Sequence, residues 1–444
     1  MSVARNAAAQ IAATGSDETD LIQTAIDRLS AAGGGRLQLE AGRHVCAGLR
    51  LADGVDLHLA EGAVLAPVPD YAAYAANTVG VIAEDSDRAM IVAKGARNIA
   101  ISGAGRIEAG GAAFAIADDA AMGTFVPAAR RPRVAVFEDC AGVAIADVTV
   151  SRSPMWTWHM VACNGVAVRN IVVDNDRRMP NTDGFVVDSC SDVLIEDARI
   201  DTADDGIVLK TSKLANGIGA MRDVRVRRVS VSSQSCALKI GTETFGDIED
   251  IVFEDCVIRD SNRALGLFSR DGGRLARVRF SRISVDCHET LDGFWGSGEA
   301  LTVNIVDRRP DSRPAGAITD LVVEDVTGSM EGAINLIAAA PAGISTIRLS
   351  RIDLRQRPGR LGTGRTYDLR PTPADLAPSP DAAGRANAWV RGADGKVVGL
   401  TAYPNGMPGV YAKSIKDLTM DDVKISRPHP LPADWNKAIK VIEA

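Results

Sequence analysis

Apolar and polar positions along this chain repeat a short block, x-V-x-I/V-x-x-V/I-x-V/I, and each block opens on an Asn, Asp or Gly turn. Its first apolar member falls at Ile99, Val143, Val166, Val193, Val224, Ile251, Val278, Leu321, Ile347 and Leu418. Between Val143 and Val278 the steps are 23, 27, 31, 27 and 27 residues. Period-two alternation inside a block predicts a pair of short strands. A repeat of this length, with no helix-forming stretch between blocks, predicts a solenoid whose unit buries its apolar face only by stacking on its neighbours. The expected fold is all-β: a right-handed parallel β-helix forming a single domain over residues 1–444, its coils about 4.8 Å apart.

Two regions interrupt the repeat. Leu21, Ile22, Ala25, Ile26 and Leu29 follow helical spacing and end at Gly33-Gly34-Gly35, which predicts a short N-terminal helix within 16–35 that caps the open end of the stack. Over 355–412 the repeat lapses into a Pro- and Gly-rich excursion with an expected hairpin, Trp389 to Leu400, around Asp394-Gly395. The block at Leu418 returns the chain to the stack, so the excursion is expected to fold over one face.

The apolar pattern also sets register. Phe185, Val187, Ile207, Leu209, Leu238, Ile240, Leu265 and Leu267 should point inward. One outward column then reads Trp156, Asp183, Asp205, Cys236, Arg263, and a second reads His159, Val186, Val208, Lys239, Gly266. Asp204 sits beside the first. The runs Asn181-Thr182-Asp183-Gly184 and Asp204-Asp205-Gly206 thus place three carboxylates together on adjacent coils. Asp188 and Lys210 occupy matching positions and read as a ladder salt bridge, whereas Glu243 has no assignable role.

Composition narrows the class. Apolar content of 46% supplies a large core, and a net charge of −7 gives no sign of a nucleic-acid partner. No stretch approaches the roughly 20 apolar residues of a membrane span. The opening residues lack a continuous apolar segment of the signal-peptide kind, so the expected location is cytoplasmic, or secreted with a leader outside this sequence. The seven cysteines include Cys140, Cys163 and Cys190, each three residues ahead of a block's first valine. That periodic placement reads as a stacked row of small buried thiols, with a disulfide or zinc site as the alternative.

Crowded carboxylates push one another's proton affinities apart. Glycoside hydrolysis needs such a pair, one protonated to donate to the leaving oxygen and one ionised to activate water. A row of turn-ending aspartates, or a calcium site, is the structural alternative. Asn181, His159, Trp156, Lys239 and Arg263 are the candidate substrate contacts around the acids.

At these residues, and at Asp17-Glu18-Thr19, Leu57 to Ala63 and Ser153 to His159, the chain resembles the family 28 glycoside hydrolases, the polygalacturonase-like enzymes of the pectate-lyase-like superfamily. The resemblance implies an inverting hydrolase acting on an oligosaccharide or polysaccharide, with Asp204 as general acid and with Asp183 and Asp205 holding and deprotonating water. It implies no metal and no organic cofactor. Two departures concern the substrate. Ser235-Cys236-Ala237 stands where pectin-cleaving members carry Gly-His-Gly, and Gly266-Leu267-Phe268 stands where they carry Arg-Ile-Lys. The missing cations engage a galacturonate carboxylate in the family, so Lys239 or Arg263 is the candidate replacement and the sugar is left open. Exo action is the favoured mode. Two readings compete with hydrolysis: a polysaccharide lyase that uses calcium on the aspartates with Lys239 or Arg263 as base, and a non-catalytic carbohydrate-binding solenoid.

Overall fold

The computed structural model describes residues 8–291, 293–308, 313–361, 366–372 and 398–444. All ten block-opening residues stand in one continuous parallel register, from Ile99 against Val143 through to Ile347 against Leu418. The residue ahead of the first apolar position is left-handed: Asn98, Asp192, Asp223, Asp250, Asp320 and Asp417 have φ between 54° and 59°. Short Asx side chains tolerate that conformation better than other non-glycine residues. The turn and the first apolar residue therefore recur as one unit. The result is a parallel β-helix.

A second parallel sheet carries the acidic motifs. Its strands are β1 (Arg133–Glu138), β2 (Trp158–Val161), β3 (Phe185–Asp188), β4 (Ile207–Thr211), β5 (Cys236–Thr244), β6 (Arg263–Ser269), β7 (Leu301–Ile305), β8 (Ile334–Ala338) and β9 (Val410–Lys413), each hydrogen-bonded to the next. The pairings run His159 to Val186, Val208, Lys239 and Gly266, as the apolar pattern requires. Phe185, Val187, Ile207, Leu209, Leu238, Ile240, Leu265 and Leu267 all lie in the central core.

The N-terminal helix α1 (Thr19–Ala31) lays Ile22, Ile26 and Leu29 on the first coils and leaves Leu21 in solvent. It stops at Gly33 and Gly34, both at positive φ, where the Gly34 N–H donates to the Leu29 carbonyl at 2.8 Å. Cys140, Cys163 and Cys190 form the buried row with unpaired thiols, and the Cys163 thiol donates to the Phe137 carbonyl. The hairpin expected around Asp394-Gly395 lies outside the described residues. What the excursion does show is Thr366–Asp368 paired antiparallel with Leu400–Ala402. Tyr367, Tyr403 and Tyr411 pack there in a small second core with Met407 and Trp435. Among the described residues no helix is long and apolar enough to cross a membrane.

Candidate active site

Close backbone approach explains the two Asp-Gly motifs. The Gly184 N–H donates to the Asp205 carbonyl and the Gly206 N–H to the Cys236 carbonyl, both at 2.9 Å. A Cβ on Gly184 would lie 2.5 Å from the Gly206 carbonyl oxygen, and one on Gly206 would lie 2.3 Å from a Val231 methyl. Glycine at both places lets the coils close up beneath the acids. The loop before Asp183 is pinned as well: Asn175 Nδ2 donates to the Thr182 carbonyl at 3.1 Å, and Asn181 sits left-handed at φ 58°.

The stacking brings Asp183, Asp204 and Asp205 together, with one carboxylate oxygen of each within 4.8 Å of the others. Asp183 and Asp205 are buried, and each has an Oδ1 with no hydrogen-bond partner. Asp204 is the most exposed of the three. Burial first, and then the charge of Asp205, push the Asp204 carboxyl up to about 6. Burial and the charges of both neighbours hold Asp183 well above the usual carboxylate range. Asp205 Oδ2 instead accepts from Lys239 Nζ at 2.7 Å. Burial is the largest influence on the Lys239 ammonium and works against it, yet the charges of Asp205 and Asp204 and the hydrogen bond to Asp205 together raise its affinity for the proton. Asp205 is thus the member of the cluster with an ammonium partner, and its Oδ1 is left without a hydrogen bond.

The other candidates sit differently from the sequence reading. His159 is fully buried; its Nδ1 meets Arg133 Nη1 at 2.9 Å, and burial depresses the ring to about 4. Trp156 packs on Met155, Val186 and Val208 with the Lys210 ammonium 4.4 Å from its ring centre, so it supports a cation and offers no open face. Arg263 is only 2% exposed and lies between Glu299 and Asp368, both at 3.3 Å. In this structure all three are buried and engaged by protein groups, His159 and Trp156 by Arg133 and Arg263 by Glu299 and Asp368. Asn181 Oδ1 accepts from Arg131 Nη2 at 2.8 Å. The Asp188–Lys210 pair does not form either. Asp188 accepts from Ser212 and Ser189, and Lys210 reaches Glu243 at 3.1 Å.

Sequence reasoning missed three groups. Glu243 links Lys210 to Arg308 Nη1, at 3.1 Å from each; burial opposes its charge, but those cations hold it well below the ordinary range. Trp295 lies partly exposed in the run Gly293–Gly298, its ring centre 6.0 Å from Lys239 Nζ. Finally, a 570 Å³ cavity lined by Phe125, Ser153, Asn175, Asp176 and Met179 opens beside the loop that carries Asp183. An aromatic in a glycine-rich run was the one available signal for Trp295.

A family model described as "Glycosyl hydrolases family 28" matches residues 72–357. A probable polygalacturonase of Vitis vinifera is 30% identical over 139 residues, covering 30% of this chain and 28% of the relative. An endopolygalacturonase of Emericella nidulans is 22% identical over 214 residues, covering 45% and 51%. The chain therefore spans about half or less of the length of these curated relatives. Among solved structures, a family 28 exopolygalacturonase of Yersinia enterocolitica superimposes with a TM-score of 0.69 at 16% identity, covering 98% of this chain and 78% of that one. An exopolygalacturonase of Thermotoga maritima gives 0.61 at 22% identity, covering 78% and 87%. At these identities the structural likeness speaks to fold.

Proposed function

Because the chain belongs to the family 28 glycosyl hydrolases, we propose that it hydrolyses a glycosidic bond in a pectin-related or other polysaccharide, with the three aspartates as its catalytic groups. The observation that carries this reading is the split within the cluster: Asp205 Oδ2 is bound to Lys239 Nζ at 2.7 Å, while Asp204 has no such partner among the described residues and burial and the charge of Asp205 push its carboxyl up to about 6. Asp204 then protonates the leaving oxygen as the C–O bond breaks. A water held by the free oxygens of Asp183 and Asp205 attacks the anomeric carbon and gives its proton to Asp205. Inverting glycosidases usually separate their carboxyl groups by roughly 6.5–9.5 Å with the water between them. Here the oxygens converge within 4.8 Å, so the water belongs beside the pair that binds it and not in a gap between opposed acids.

Exo action is the favoured mode. The strap at 366–372 is tied down two coils beyond Asp205, where Arg263 Nη2 donates to the Asp368 carbonyl at 3.1 Å and Arg270 Nε to the Pro371 carbonyl at 3.2 Å, and it would close that end of the groove. A lyase is the weaker reading, because its base must lose a proton and both Lys239 and Arg263 are held protonated by neighbouring acids that outweigh burial. The test is digestion of pectic and other oligosaccharides by the parent and by Asp204→Asn. Hydrolysis yields saturated reducing ends, survives a chelator and falls at least about 100-fold in the variant. An unsaturated, ultraviolet-absorbing product, or an undiminished variant, rules the proposal out.

A further inference from the structure

The cations around the acids are already committed to protein groups. Lys239 is bound to Asp205, Lys210 and Arg308 share Glu243, Arg308 also meets Asp271 at 2.8 Å, and Arg263 lies between Glu299 and Asp368. The pairs of Lys239 with Asp205, Arg308 with Asp271 and Arg263 with its two acids are buried, and one partner is withdrawn from such a pair only at high cost, whereas the partly exposed Glu243 is shared by two cations. Arg131 has no carboxylate partner, but it is 3% exposed and turns its guanidinium to the carbonyls of Pro154 and Pro180 and to Asn181 Oδ1. A carboxylate entering this site would meet three aspartates and no disengaged cation among these groups.

Trp295 offers the opposite kind of contact. Its ring is partly exposed beside Lys239, and the backbone on either side of it is fixed. The Phe294 carbonyl accepts from Arg370 Nη2 at 3.2 Å, and the Gly296 N–H donates to Asp368 Oδ2 at 2.7 Å. Gly296 has φ 142°, and a Cβ there would fall 2.4 Å from Asn262 Oδ1. Asp368 is itself gripped by Arg370 Nη2 at 2.8 Å. The excursion therefore acts as a clamp that presents an indole at the edge of the acid cluster. A fixed aromatic face buries the apolar face of a sugar ring at little entropic cost.

We infer that the sugar residue bound against the acid cluster carries no ionised carboxylate and is recognised by stacking on Trp295. This deepens the glycosidase reading and rests on it for the identity of the site. The experiment compares three matched probes at one ionic strength: a de-esterified oligogalacturonide, its fully methyl-esterified form and its carboxyl-reduced form. Binding is read by calorimetry on the folded Asp204→Asn protein, and turnover on the parent, Trp295→Ala and Trp295→Phe. The expected result is at least tenfold tighter binding of an uncharged form than of the acid form. Trp295→Ala should raise KM about tenfold on the uncharged form with a smaller change in kcat, and Trp295→Phe should recover most of that loss. Equal or tighter binding of the acid form, no binding of either uncharged form, or an unchanged KM in Trp295→Ala overturns the inference. Preferential binding of an uncharged form without cleavage by the parent upholds the recognition and removes the hydrolase reading instead.

Discussion

Two faces of this solenoid stack acids and bases one coil apart, and they do opposite things with them. On the outer edge of the first sheet, Arg228 meets Asp197 and Glu196, Arg277 meets Asp250 and Glu249, Arg282 meets Asp255 and Glu254, and Arg351 meets Asp325 and Glu324, all at 2.6–3.0 Å. Each arginine and its aspartate sit at a left-handed position, so the same turn geometry that starts a coil also aims a guanidinium at the coil before it. Every such carboxylate is matched, and the four aspartates are solvated. On the second sheet, the acids ahead of β3 and β4 lie near Lys239 and Lys210, two of the three are buried, and two oxygens are left without partners. Coil periodicity builds charged columns on both faces. Water exclusion and an unmatched acid are what turn one of them into a reactive site.

That contrast is broken most sharply at Lys239. Lys239→Met removes the buried partner of Asp205 and should lower stability by about 3–5 kcal/mol, read by chemical denaturation. In what remains folded, Asp205 loses its ammonium partner, so kcat should fall as well. A Lys239→Met protein with parental stability and turnover would place the cluster among the solvated surface pairs.

Proton affinity gives the next test. General-acid function needs the proton on Asp204, so kcat/KM should fall about tenfold per pH unit above roughly pH 6, with the limb belonging to the coupled cluster as a whole. Stability follows the same group with a definite sign. Its folded pKa, about 6, lies above the unfolded value of about 3.9. Its contribution is therefore complete below pH 4 and is lost as pH rises through 6. Asp204→Asn never ionises, so at pH 7.5 it should be more stable than the parent by up to about 3 kcal/mol, with the difference closing towards pH 4 in a series of thermal melts. A variant less stable than the parent at pH 7.5 would mean that Asp204 is held ionised, as the outer-edge carboxylates are.

The stack itself was legible because register depends on features local to each block. A left-handed Asx or Gly, followed by alternating apolar residues, fixes which side chains face in, and the inward set at β3 to β6 needs nothing further. The acid triad follows from the same rule. What covers the outward columns was hidden. His159 and Arg263 do project away from the core, but Arg263 is closed over by Asp368, more than 100 residues along the chain, and no periodicity predicts where an excursion lands. The Asp188–Lys210 ladder failed for a local reason. Leu209 pairs with Ile240 but Thr211 pairs with Thr244, so extra residues bulge out of β5 and carry Glu243 to Lys210. Trp295 stayed invisible because its segment belongs to no block.

The outer edge supplies the smallest effect. Arg277 sits at φ 55° and bridges Asp250 at 2.7 Å and Glu249 at 2.8 Å, while its side chain remains 46% exposed. Exposed pairs gain little over their hydrated partners, and salt screens them. Arg277→Gly relieves the left-handed backbone as it deletes the pair, whereas Arg277→Ala deletes the pair and keeps the backbone cost. Thermal melts should therefore place the Gly variant close to the parent and the Ala variant slightly below it, with turnover unchanged in both. If the Gly variant fell as far as Lys239→Met, the guanidinium ladder would be holding the coils together, and the division between a solvated scaffold face and a buried chemical face would have to be abandoned.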